Sequence, residues 1–269
     1  MYSVLILTLN EERDLPRCLA SIRGCDDIVV LDSGSTDRTA AIARGADARV
    51  FTHCFDDFAG QRNYAQREIP FHHPWVFHLD ADEQLTPELD SECRAAIPRT
   101  DVDGFLVAPR MLWEGRWIPH CTDYPAWQAR FVRAPQFEFI QAGHGQREAL
   151  HMRMARLSAN YLHDLSGGGE AEWLDKHRRY ARAEAQAHFA FDGGVRPADL
   201  FAGERLVRRR ALKRLSYALP CRPALRFVYQ YLLRRGFLDG HAGFRYCRLL
   251  ARYEGFTTDE LRRLRAPAS

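Results

Sequence analysis

The chain lacks the marks of several function classes. Across 269 residues no apolar run approaches the roughly 18 residues of a membrane span. The seven cysteines (Cys18, Cys25, Cys54, Cys93, Cys121, Cys221, Cys247) are odd in number and nowhere spaced C-x-x-C. That argues against a disulfide scaffold and structural zinc, and for reduced thiols in a cytoplasmic setting. Neither G-x-G-x-x-G nor G-x-x-x-x-G-K-[ST] occurs, so no glycine-rich loop cradles phosphates. The first strand pattern starts at residue 2 with no basic stretch or cleavage site before it, so no secretory leader is expected.

Acids are scarce toward the end of the chain. From residue 201 onward 16 Lys and Arg face 5 acids, which leaves the first 200 residues at a net charge of −8. A basic tail on an acidic body suits an anionic partner: a phospholipid surface, a phosphorylated glycolipid or nucleic acid. Ordinary solvated helix faces would give the same counts. No nucleic-acid-binding motif accompanies the arginines, so nucleic acid is not an expected partner.

What is present reads as α/β. With 46% hydrophobic residues the chain can bury a large core. Strand patterns over 2–9, 27–31, 48–52 and 75–79 alternate with helix patterns from Asn10 to residue 23, through residue 43, and over 58–67. That order predicts a mostly parallel, Rossmann-like sheet flanked by helices. Asn10 is placed as the cap of the first helix, and Thr86-Pro87-Glu88 as the start of a later one.

The organising stretch is Trp75 to Glu83, an apolar run that stops at Asp80-Ala81-Asp82. If the backbone stays extended, both carboxylates point the same way at a carboxyl strand end, where open α/β sheets bind ligands. Hard oxygens there suit Mg²⁺ or Mn²⁺ shared with substrate phosphates, although Asp-X-Asp is also a common solvated turn. Asn10-Glu11 and Asp32 end the neighbouring strands. A carboxylate-rich rim takes a diphosphate only with a divalent cation between them.

Four motifs in register, TLNEE, DSGSTD, FAGQRN and HLDADE, resemble inverting family 2 glycosyltransferases of the GT-A fold over residues 1 to about 95. The stretches YPAWQARFVR, GHGQRE and LHDLSGGGEAEWLDKHRRYARAEA extend the similarity to about residue 190, toward a bacterial branch that includes lipopolysaccharide-core glucosyltransferases. The resemblance implies that Thr8, Asn10, Glu11, Asp32, Arg62 and Asp80 serve a nucleotide-sugar donor, most commonly UDP-linked. It implies that Asp80 and Asp82 carry the metal. Arg147 stands where related proteins often have histidine.

Inverting transfer is one in-line displacement and needs a general base. Glu148 is the first candidate, against the plainer reading of a surface carboxylate paired with Arg147; Asp123 is the second, with an acceptor-binding role equally open. His163 is a third metal ligand or a diphosphate contact, or simply a hydrogen-bonding residue. His144 is an acceptor-site candidate, while His72, His73 and His78 read as structural. Trp113, Trp117 and Trp127 either stack on sugars or pack the sheet.

Over 170–189 a helix shows Trp173, His177, Tyr180 and Ala181 on one side; Lys176, Arg178 and Arg179 grip phosphate or pair on a solvated face. Gly193, Gly194 and Pro197 read as a linker. Helix patterns over 206–219, 223–237 and 242–256 mix arginines with apolar residues, as interfacial helices do and as packed ones also do. The expected organisation is a nucleotide-sugar half (1–100), an acceptor and base half (101–192) and a basic helical tail (193–269) on the inner leaflet. The acceptor this reading implies is a lipid-linked saccharide. The alternatives are transfer to polyprenyl phosphate and a catalytically silent nucleotide- or glycan-binding module.

Overall fold

The computed structural model describes residues 1–142, 145–189, 197–203, 205–217, 219 and 221–265. Its strands are β1 (Ser3–Thr8), β2 (Ile28–Asp32), β3 (Arg49–Thr52), β4 (Trp75–Asp80), β5 (Glu83–Gln84), β6 (Gly104–Trp113), β7 (Arg116–Trp117), β8 (Gln128–Arg133), β9 (Phe139–Ala142), β10 (Gly145–Glu148) and β11 (Met154–Asp164). The helices are α1 (Leu15–Ser21), α2 (Thr39–Gly45), α3 (Phe58–Glu68), α4 (Pro87–Ala96), α5 (Gly169–Phe189), α6 (Pro197–Leu200), α7 (Arg205–Ser216), α8 (Arg222–Val228) and α9 (Gly240–Arg265). A π-helical turn (Tyr229–Leu233) continues α8, and a 3-10 turn (Gly236–Asp239) leads into α9.

The chain forms two compact units. One is Met1–Leu112 with Tyr124–Gly167; the other is Trp113–Asp123 with Gly168–Ser269. These limits differ from the sequence segments 1–100, 101–192 and 193–269. The reason is that α5 packs on α9 through Trp173, Ala181 and Ala185, so it folds with the helices that follow it.

In the first unit eight strands join in the order β3-β2-β1-β4-β8-β6-β11-β5. β3, β2, β1 and β4 run parallel; β8 lies antiparallel between β4 and β6. The parallel strands bury both faces, as helices on either side require. Val4, Ile6, Val30, Phe77 and Leu79 face a core shared with Leu15, Leu19 and Leu89, whereas Leu5, Val29, Leu31 and Val76 face Ala65 and Ile69. Trp75 stacks on Phe131 at 4.8 Å between ring centroids, which ties β4 to β8. Each such fully buried large side chain contributes about 1.5–3 kcal/mol. The chain winds outward from β1 to β3 and then crosses to β4 on the other side of β1. The switch point therefore lies between β1 and β4, with Leu7 opposite Asp80 in register.

Local signals were read correctly at α4, where Thr86 Oγ1 accepts from the Leu89 amide at 3.2 Å and Pro87 opens the helix. At α1 the expectation fails. Asn10 is not its cap: it sits in the left-handed region (φ 57°), and the helix starts five residues later. A small side chain that hydrogen-bonds locally tolerates that conformation, and Asn10 uses its carbonyl on the next loop instead.

In the second unit His177 stacks on Trp173, but Tyr180 is half-exposed, so the expected single apolar side of α5 is narrower. Gly193 and Gly194 lie outside the described residues, and Pro197 opens α6. A Cβ at Gly243 would lie 2.4 Å from the Gly236 carbonyl oxygen, so only glycine lets α9 approach that turn. Among the described residues no helix is long and apolar enough to cross a membrane. Glu184 of α5 accepts from Tyr217 Oη at 2.5 Å and Tyr253 Oη at 2.6 Å, and Lys213 Nζ lies 3.0 Å away. Burial opposes its ionised form, but these partners outweigh burial and hold its pKa below the ordinary value. A depressed folded-state pKa gives stability that is complete above the ordinary carboxyl range and lost as pH falls through the folded value. Glu184→Gln should cost about 1–3 kcal/mol at neutral pH. In urea unfolding the gap to wild type should close below about pH 4; a gap unchanged there would contradict the network.

Candidate active site

The rim begins where β1 and β2 end. Thr8 pairs with Asp32 in register, and its Oγ1 donates to Asp32 Oδ1 at 2.9 Å. Ser35 Oγ donates to the same oxygen at 2.5 Å, while the Gly34 and Ser35 amides donate to Oδ2 at 3.1 and 2.8 Å. All four acceptor positions of the carboxylate are filled. Burial opposes ionisation, but these donors outweigh it and lower the Asp32 pKa. The loop after β1 is laced to the loop after β2. The Asn10 amide donates to Ser35 Oγ at 2.8 Å, Asn10 Oδ1 accepts from the Thr36 amide at 2.8 Å, and the Glu11 amide donates to Thr39 Oγ1 at 2.7 Å. Asp32 thus fixes the turn, whereas Asn10 is exposed at the rim.

Behind the rim lies a buried charge network that the sequence reading missed in part. Asp80 Oδ1 accepts from Arg62 Nη2 at 2.7 Å and Oδ2 from Arg130 Nη2 at 3.0 Å. The same Arg130 nitrogen donates to Glu83 Oε1 at 2.6 Å, and Glu83 Oε2 accepts from the Asp80 amide at 2.9 Å. Arg130 Nε reaches Tyr161 Oη at 3.3 Å. Arg62, Glu83 and Tyr161 have no exposed surface, and Arg130 has almost none. Burial opposes the charge on Asp80, yet Arg130 and Arg62 hold its carboxyl far below the ordinary range. For Glu83 burial prevails and pushes the pKa up to about 8, with Asp80 adding to it and Arg130 opposing. Among the described residues Arg62 Nε and Nη1 and both ring nitrogens of His78 have no hydrogen-bond partner. Burial, with Arg62 and Arg130 beside it, keeps His78 neutral.

Asp80 is the last residue of β4, and Ala81 and Asp82 form a turn. The strand alternation expected across Asp80-Ala81-Asp82 therefore stops short of its second carboxylate. Asp82 instead meets β11: its Oδ2 lies 3.2 Å from His163 Nε2, and the Asp164 amide approaches its carbonyl at 3.4 Å. β5 carries Glu83 opposite His163, which delivers the imidazole to this turn. Burial opposes a charged His163, but the Asp82 hydrogen bond and the nearby carboxylates push its pKa up to about 9. Among the described residues no three His, Cys, Asp or Glu side chains converge as a ready-made metal cage. The three expected ligands fall into two groups: Asp82 with His163, and Asp80 with its arginines.

Glu148 is half-buried on the β9–β10 hairpin, opposite Phe139. Directly opposed side chains of an antiparallel pair share a face. The Phe139 ring lies 5.1 Å from that of His78 and 5.9 Å from the Arg62 guanidinium, so Glu148 shares its face with a residue that lies against Arg62. Asn63 fastens this hairpin to α3 through Phe139: its Nδ2 donates to the carbonyl at 2.8 Å and its Oδ1 accepts from the amide at 3.0 Å. Asp123 belongs to the second unit, where it is exposed and 3.9 Å from Arg234 Nη1. His144 lies outside the described residues.

His73 pairs with Asp26 at 2.9 Å and His72 approaches Asp27 at 3.6 Å. Trp113 is buried edge-on against Trp173, Trp127 lies under Arg156, and Trp117 is part-exposed. Arg178 pairs with Asp175 at 2.7 Å, as on a solvated helix face. Arg130 and Glu83 had a usable signal: an arginine inside the apolar strand Ala129–Val132, and a third acid after two others, both call for buried partners.

Residues 3–133 match the family described as glycosyl transferase family 2. The lipopolysaccharide core biosynthesis glycosyltransferase LpsC of Rhizobium meliloti is 36% identical over 114 residues, which is 40% of this chain and 42% of that protein. A TPR repeat-containing protein of Synechococcus elongatus is 39% identical over 107 residues, 39% of this chain and 26% of that protein. This chain therefore spans less than half the length of these relatives. The crystal structure of S. aureus TarS 1–349 in complex with UDP-GlcNAc has a TM-score of 0.47 at 17% identity, over 99% of this chain and 93% of that one.

Removing Arg130 leaves Asp80 and Glu83 facing each other without the cation between them. Arg130→Ala is expected to destabilise the fold by about 3–5 kcal/mol, read by denaturant unfolding. A loss under about 1 kcal/mol would show that the network is not the keystone described.

Proposed function

We propose that this chain, whose residues 3–133 match glycosyl transferase family 2, moves a sugar, with inversion, from a nucleotide-sugar donor to a hydroxyl of a lipid-linked saccharide in cell-envelope synthesis. The observation that carries the reading is the pairing of Asp82 with His163 at the switch point, directly beside the arginine-held Asp80. The named role of LpsC in lipopolysaccharide core biosynthesis favours a lipid-linked acceptor. The donor is UDP-linked in this proposal, as in most of the family that the motifs resemble.

The donor set supports a divalent cation, Mn²⁺ or Mg²⁺. Asp82 and His163 supply a carboxylate oxygen and an imidazole nitrogen 3.2 Å apart, which leaves further positions for phosphate oxygens. Direct ligation by Asp80 would break two ion pairs, so Asp80 acts through water or by fixing Arg62 and Arg130. When bound, the cation offsets the charge that develops on the departing diphosphate.

The chain's own groups do the rest. Thr8 and Asp32 hold the turn that presents Asn10 and Glu11 to the nucleotide. Arg62 has no surface of its own, so it acts on the donor pocket through Asp80. Glu148 takes the proton of the acceptor hydroxyl as that oxygen bonds to the anomeric carbon and the bond to the diphosphate breaks. Asp123 is the second candidate for that proton. The basic tail makes peripheral contact with the inner leaflet, where lipid-linked acceptors reside.

Thermal unfolding with UDP, GDP, ADP and CMP, each with Mn²⁺ or EDTA, tests the donor site. One nucleotide should raise the midpoint by roughly 5 °C at saturating concentration. The effect should need metal and vanish in Asp82→Ala; no shift with any nucleotide in folded protein would sink the proposal. Glu148→Gln should keep that shift and lose about 10²–10⁴-fold in transfer rate. Retained turnover in this variant would move the base to Asp123.

A further inference from the structure

Residues 205–238 carry ten Lys and Arg and not one Asp or Glu. Within that stretch α8 and the π-helical turn after it show large apolar side chains to solvent. Leu225, Val228, Tyr229, Leu232 and Leu233 are 44–72% exposed, and Phe237 and Leu238 in the next turn are about half-exposed. The first five recur at i, i+3, i+4, i+7 and i+8, the spacing of one helix face. Solvated faces of ordinary proteins do not gather such residues; contiguous apolar patches mark interaction surfaces.

The opposite side of the same run is firmly held within the second unit. Gln230 is buried and donates to the Cys121 carbonyl at 2.5 Å, Arg222 pairs with Glu254 at 2.7 Å, and Arg234 donates to the Thr122 carbonyl at 2.5 Å. Arg235, in the left-handed region at φ 61°, reverses the chain and returns the 236–239 turn against residues 229–233. The outer apolar face is thus a fixed feature of a well-anchored element. α7 also exposes Leu212 and Leu215, but Tyr217 just after it and Lys213 on it are engaged with Glu184 of α5.

We propose that the face formed by Leu225, Val228, Tyr229, Leu232 and Leu233, with Phe237 and Leu238, docks in the interfacial layer of an anionic phospholipid bilayer. Charge of one sign around it selects the occupant. Arg235 is exposed beside the apolar residues, on a stretch that carries no acid, and cations beside an apolar face are what a negatively charged headgroup layer attracts. The element is too short and too charged to span, so it lies in the membrane plane. This deepens the peripheral contact of the proposed function and rests on it for the leaflet. The assay below measures lipid binding alone, so its failure and that of the sugar-transfer reading are separate results.

Sedimentation of the full chain with phosphatidylcholine vesicles, with and without phosphatidylglycerol, is the test. Binding should be at least about tenfold tighter with the anionic lipid and should weaken as salt rises. The double variant Leu232→Asp, Leu233→Asp should unfold at the wild-type temperature and lose about tenfold or more of that binding. Arg235→Glu should weaken it, while Leu212→Asp on α7 should leave it within about twofold. Equal loss in the α7 variant, or no binding by wild type, overturns the assignment. So does a wild-type dimer, measured without lipid, that the double variant splits, because the face would then belong to a second copy of the chain.

Discussion

Everything at the candidate site depends on keeping charged groups out of water at the end of β4. Arg62 and Arg130 enter from a helix and from an antiparallel strand, and both end on Asp80. Ions buried like this cost several kcal/mol each unless paired and hydrogen-bonded. The geometry of α3, β4, β5 and β8 is therefore constrained together, because displacing any of them parts a charge from its partner. A site whose polar groups are held before any ligand arrives has little reorganisation left to make.

The same network explains why the sheet changes character at β4. The run of four parallel strands ends there, and β8 comes in antiparallel with Arg130 placed two residues from the start of its strand. The arginine bridges both carboxylates, Asp80 at the end of β4 and Glu83 on β5. β5 in turn pairs with β11, which supplies His163. A chain of strand pairings thus carries Asp82 and His163 to each other from positions 81 residues apart in sequence.

Much of the first unit was legible because parallel strands buried on both faces write themselves as apolar runs with polar ends. The strands ending at Thr8, Asp32 and Asp80 were read within a residue or two, as was the Thr86 cap. The errors have a common physical origin: local rules were extended past the point where tertiary partners take over. Asn10 has the composition of a cap, but its side chain is used by Thr36 on the next loop. Asp80 and Asp82 satisfy a strand alternation that the turn at Ala81 interrupts. Arg130 and Glu83 each signalled the need for a buried partner, but the ion pair is a property of two distant positions and neither names the other. In the second unit the helices were foreseen, but not which of them would bare its apolar face.

The charges at the site also set a condition on the medium. Arg62 and Arg130 are paired with Asp80 and the raised His163 with Asp82, so these positive charges are already engaged by the protein's own carboxylates. None of these three cations is left without a carboxylate partner, so the polyanionic donor proposed above would draw its neutralising ions from solution. Occupancy then becomes a function of two activities at once, the ligand's and the free ion's. A change in the ionic composition around the protein would retune the apparent affinity without any residue moving.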